Sequence, residues 1–79
     1  MKDFRVCNHD FKNWIESKCE SAKEVVMLIE RENMNTFEIE WRTPVTGEYK
    51  RVLEVVNGGA VYVSDVFNIP VEFRKYIDK

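Results

Sequence analysis

A chain of 79 residues, 44% hydrophobic and 13% aromatic, has room for one core and lacks the low-hydrophobicity, high-charge signature of disorder. Its net charge of −2 argues against a dedicated binder of double-stranded nucleic acid, which is normally basic. The acidity is local, because residues 1–40 hold six Lys/Arg against nine Asp/Glu, net −3, whereas residues 41–79 hold six against five, net +1.

Taken in chain order, Phe4 to Val6 is a candidate short strand. Residues 10–33 then contain neither glycine nor proline. Phe11, Trp14, Ile15, Cys19, Ala22, Val25, Val26 and Ile29 recur there at spacings of three and four, which predicts an amphipathic helix. Asp10 or Asn8 suits its N-cap, and Asn33 or Asn35 a left-handed end. Met27 and Leu28 fall off the apolar face, so Val25 to Ile29 also reads as a buried strand. In that case the helix stops near Ala22 and the strand count rises to four.

After Thr36 the period changes to two. Phe37, Ile39 and Trp41 alternate with Glu38, Glu40 and Arg42, which predicts a half-buried strand. Pro44 to Gly47 makes a turn, and Tyr49 to Val56 a second strand. Asn57-Gly58-Gly59 supplies the positive backbone angles of a tight hairpin, with Ala60 to Val66 as the returning strand. Asn68-Ile69-Pro70 opens a short closing helix that turns Phe73, Tyr76 and Ile77 inward. The expected fold is thus α+β in two layers: an N-terminal helix, a three-stranded antiparallel meander and a short C-terminal helix, in one domain over residues 1–79.

That α-β-β-β-α order is similar, in topology alone, to the double-stranded RNA-binding domain. The closing helix carries Arg74, Lys75 and Lys79 interleaved with Glu72 and Asp78, and the single histidine, His9, precedes the first helix. The family's basic cluster and histidine loop therefore have no counterpart, and none of its functional residues is carried over.

On a helix over 10–33, Glu16, Glu20 and Glu24 fall four apart along one stripe opposite the apolar face. Like charges so placed are unfavourable by roughly 0.2–0.5 kcal/mol per pair. An uncompensated acidic stripe, extended by Glu38 and Glu40 on the neighbouring strand, fits docking to a protein with a basic surface, nucleic-acid-binding proteins included. A second cluster, Trp41, Arg42, Tyr49, Lys50 and Arg51, interleaves bases and aromatics around the first hairpin, a composition that binds single-stranded RNA by stacking and phosphate contact.

Cys7, His9, Asp10 and Cys19 are metal-ligand types without the paired spacing of a zinc site, and no metal or cofactor is expected. His9 has no neighbouring nucleophile, and Gly58-Gly59 lacks the helix and Lys-Ser/Thr of a phosphate loop, so no enzyme chemistry is expected. Met1 to His9 holds no apolar leader, and the longest apolar run, Val25 to Ile29, falls far short of the roughly 20 residues of a membrane span. Two such cysteines read as reduced thiols of a cytoplasmic protein.

Three functions fit. The first is a small non-enzymatic binding protein that regulates or inhibits a larger partner through its acidic face. Its abundant Asn, Lys, Glu and Ile suit an AT-rich phage or bacterial genome. The second is an RNA-binding module using the hairpin cluster, and the third a self-associating homo-oligomeric subunit using a sheet face or open edge.

Overall fold

The computed structural model describes residues 3–10, 15–65 and 68–78. Its elements are β1 (Phe4–Asn8), β2 (Ile15–Cys19), α1 (Ala22–Arg31), β3 (Phe37–Arg42), β4 (Tyr49–Val56), β5 (Gly59–Val63), a 3₁₀ turn (Val71–Phe73) and α2 (Arg74–Ile77). The strands form one antiparallel sheet in the order β2-β1-β3-β4-β5.

The expected three-stranded meander behind a helix over 10–33 is therefore corrected to a five-stranded sheet with one principal helix. Residues 15–19 pair with β1, Cys19 opposite Phe4 and Glu16 opposite Cys7. Glu16-Ser17-Lys18-Cys19 alternates, with Glu16 and Lys18 exposed and Cys19 buried, and pairing with β1 satisfies a whole row of backbone groups. Phe11 and Trp14 lie outside the described residues.

Helix α1 begins at its N-cap Ser21 in the Ser-x-x-Glu spacing of a capping box, with the return bond going to the residue before the N-cap. Ser21 has extended backbone (φ −142°) and its Oγ accepts from Glu24 N at 3.2 Å, while Glu24 Oε2 reaches back to accept from Glu20 N at 3.1 Å. Val25 to Ile29 belongs to this helix: Val25 and Ile29 are buried, Val26 and Leu28 half-buried, and Met27 is left 60% exposed. Asn33 follows the helix end with φ 52°, a left-handed conformation that asparagine tolerates.

Strands β3 and β4 cover the segments in which alternation and β-branched residues predict them, and Asn57 (φ 49°) and Gly58 (φ 81°) make the hairpin turn. The ladders on both sides of β4 carry a bulge. Between the pairs Ile39–Leu53 and Glu40–Arg51, Val52 is the extra residue, and between Val55–Ala60 and Glu54–Tyr62, Val61 is. Val52 and Leu53 are consequently both buried in the core.

One face of the sheet is covered. Helix α1 lies against β1 and β2, α2 lies against β5, and the 3₁₀ turn sits between the two helices. Phe73, fully buried, anchors that turn, meeting Phe4 edge-on at 5.8 Å, and Tyr76 meets Phe37 edge-on at 5.2 Å.

At one end of the sheet, Asn35 and Thr36 gather bonds from two other segments. Asp10 Oδ2 and Oδ1 accept from the Asn35 and Thr36 amides at 2.7 and 2.8 Å, and His9 N donates to Thr36 O at 2.8 Å. From the hairpin, Gly58 N donates to Asn35 O at 2.9 Å and Asn57 N to Thr36 Oγ1 at 3.1 Å. Asp10 is thus a cap, but of the segment leading into β3 instead of a helix. Among the described residues no helix is long and apolar enough to cross a membrane.

Candidate functional site

Among the described residues, no helix lies on the opposite face of the sheet. Strand alternation and the register place Glu16 and Lys18 of β2, Arg5 and Cys7 of β1, Glu38, Glu40 and Arg42 of β3, Tyr49, Arg51 and Glu54 of β4, and Tyr62 of β5 there. Most of both predicted clusters therefore converges on one surface.

On that surface acid and base neutralise each other. Arg5 Nε donates to Glu40 Oε1 at 2.5 Å and its Nη1 lies 3.6 Å from Glu16. Arg51 Nε lies 2.6 Å from Glu38 and its Nη1 4.0 Å from Glu54, while Arg42 pairs with Asp3 at 3.5 Å. The bond to Glu40 raises the Arg5 pKa, and burial, with Glu40 beside it, raises that of Glu38 against the opposing pull of Arg51. Two tyrosines complete the face. Arg5 Cζ and Lys18 Nζ lie 4.6 and 5.7 Å from the Tyr49 ring centroid, and Arg51 Cζ lies 5.3 Å from that of Tyr62.

Cys7 is fully buried yet stands apart from the core, on the uncovered side, with Sγ 3.8 Å from Glu40 Oε1. Cys7, Glu38 and Glu40 bring one thiol and two carboxylates within 4.8 Å of one another. Both carboxylates already hold a guanidinium, so a cation entering there competes with Arg5 and Arg51. Cys19 lies in the core on the other side of the sheet, and the two thiols form no common site.

The remaining expected residues divide. Glu20 precedes α1, and Glu24 is spent on its cap, so the stripe Glu16, Glu20, Glu24 is not a helix face: the three lie on a strand, a turn and a helix. Trp41 packs against the core on the covered side, away from Arg42, Tyr49 and Arg51, and Lys50 pairs with Glu48 at 3.3 Å. The residues that sequence reasoning missed are Arg5, Lys18, Glu54 and Tyr62, and Cys7, weighed there only as a metal-ligand type, belongs to this face as well; the alternation of Phe4-Arg5-Val6-Cys7 and of Glu16 to Cys19 was the signal that could have placed Arg5, Cys7 and Lys18.

A shallow groove on the helical side is lined by Ile29, Glu30, Asn33, Met34, Asn35 and Tyr76. The Tyr76 hydroxyl is buried without a hydrogen-bond partner, and burial next to Glu30 pushes its pKa up to about 12.

No protein family, no curated protein and no solved structure matches the chain.

Proposed function

We propose that this chain is a small non-enzymatic binding protein that regulates a larger protein partner by covering part of its surface with the open sheet face. The observation that carries the reading is the convergence of Glu16, Glu38, Glu40, Arg42, Tyr49 and Arg51, together with Arg5 and Tyr62, on the face that no helix among the described residues covers. Arginine and tyrosine are the side chains that dominate protein interfaces, and here ion pairs hold them in place before any partner arrives. Because each guanidinium is engaged by a carboxylate, a phosphate backbone has to displace an acid at each arginine, which favours a protein over RNA.

The test is capture by the tagged chain from a cell lysate, with and without nuclease, comparing the wild type with Tyr62→Ala, Arg51→Ala and, on the outer side of α1, Lys23→Ala. A nuclease-resistant protein held in stoichiometric amount by the wild type and Lys23→Ala, and reduced roughly 30-fold by the two sheet-face variants, is the expected result for residues at the centre of an interface. Capture indifferent to Tyr62 and Arg51, or recovery of RNA with loss of protein after nuclease, overturns the reading.

A further inference from the structure

The two outer strands of the sheet are unlike each other. Strand β2 carries Glu16 and Lys18, charges of the kind that keep an open edge from pairing. Strand β5, Gly59-Ala60-Val61-Tyr62-Val63, has no charge and no proline in a chain that is 33% charged, and every residue in it is exposed, Val61 at 59%. Among the described residues no strand pairs with its outer side.

The backbone of β5 has a self-complementary pattern. The two-residue turn at Asn57-Gly58 makes Val56 and Gly59 the closing pair, so alternation turns the amide and carbonyl of Ala60 away from β4. From the other end, Ser64 N donates to Val52 O at 2.9 Å, so Ser64 faces β4 and Val63 faces away. Three residues apart in a regular strand, Ala60 and Val63 would point to opposite sides. The extra residue of the bulge, Val61, brings both to the outer side.

We infer that β5 is a self-association edge, on which a second copy of this chain pairs antiparallel to join two sheets across a two-fold axis. In that arrangement Ala60 of each copy stands opposite Val63 of the other, giving about four hydrogen bonds in two reciprocal pairs. Val61 and Tyr62 meet around the axis. Asp65, the charge nearest the paired stretch, stands opposite Gly58 of the second copy, so no like charges oppose, and a net charge of −2 is too small to hold two copies apart. This surface is the edge of the sheet and shares only Tyr62 with the face proposed above for a partner. So short an interface lies below the roughly 1,200 Å² of stable complexes, which puts the dissociation constant at about 10 μM to 1 mM.

Sedimentation equilibrium of the full chain from about 10 μM to about 1 mM tests it, since that range brackets the expected constant. The expected result is a monomer that becomes a dimer with rising concentration, and a Val61→Lys variant that remains monomeric with an unchanged melting temperature. Hydrogen exchange gives a second reading on the wild type alone: the Ala60 and Val63 amides slow with concentration while those of β2 do not. A strict monomer throughout, assembly growing beyond the dimer, or a dimer in which Ala60 and Val63 exchange at the monomer rate overturns the inference.

Discussion

Replacing Asp10 with alanine removes one carboxylate that holds two backbone amides, those of Asn35 and Thr36, at 2.7 and 2.8 Å. Hydrogen bonds to charged groups contribute about 1.5–3 kcal/mol each when buried, but these amides are near water and recover part of the loss, so about 1 kcal/mol each is a fair figure. The expected cost of Asp10→Ala is then about 2 kcal/mol, close to half the roughly 3–5 kcal/mol that a core of this size supplies. For a domain of this length each kcal/mol moves the midpoint by about 4–8 °C, so the melting temperature falls by about 8–16 °C. Thermal melts followed by circular dichroism measure the shift, and Asp10→Asn, which keeps one acceptor, falls about half as far. Hydrogen exchange locates the effect, with the Asn35 and Thr36 amides accelerating ahead of those of α1. A fall of less than about 2 °C, or acceleration centred on α1, would refute the assignment of Asp10 as the cap that leads into β3.

Two further outcomes follow from buried polar groups. The folded state holds Glu38 with its pKa raised by burial, so the native chain takes up this proton more readily than the unfolded chain. The stability Glu38 contributes is therefore largest below the ordinary carboxylate range and is lost as pH rises through its folded pKa. Relative to Glu38→Gln, the wild type gains melting temperature as pH falls from about 7 to about 4, and a difference that stays flat or shrinks contradicts the cause assigned. Tyr76→Phe keeps the ring against Phe37 and deletes a buried hydroxyl that lacks a partner, so it is expected to stabilise by about 1 kcal/mol in urea titration. Destabilisation by a similar amount would mean that the hydroxyl is satisfied in solution.

The second half of the fold was legible because its signals are short-range. Asn57-Gly58 dictates a turn by its backbone angles, and Phe37 to Arg42 alternates without interruption. The first half was misread because Cys19, Ala22, Val25, Val26 and Ile29 satisfy a helical period across an actual boundary. Two residues marked that boundary, Ser21 and Glu24 in capping-box spacing, and reading Glu24 as one rung of an acidic ladder concealed them. Placing β1 inside the sheet needed more than local pattern: its partners, residues 15–19 and 37–42, are set by tertiary pairing. The candidate site was half visible. Its acids and bases were found as two groups on two imagined surfaces, and their mutual pairing depended on a register that composition does not encode.

The doubled residue at Val52 works as a phase correction. Counting strictly by twos from Leu53 would send Arg51 into the core and Val52 to the open face, yet Val52 is buried and Arg51 meets Glu38. Everything from Tyr49 to Arg51 is correctly oriented only because one residue there is uncounted by β3. Deleting Val52 would turn the bulge into a regular ladder that keeps Arg51 opposite Glu40 on the open face, and its cost would be the loss of one buried valine from the core. A residue added beside Val52, by contrast, would move Arg51 one place along β3 and turn its guanidinium toward the core.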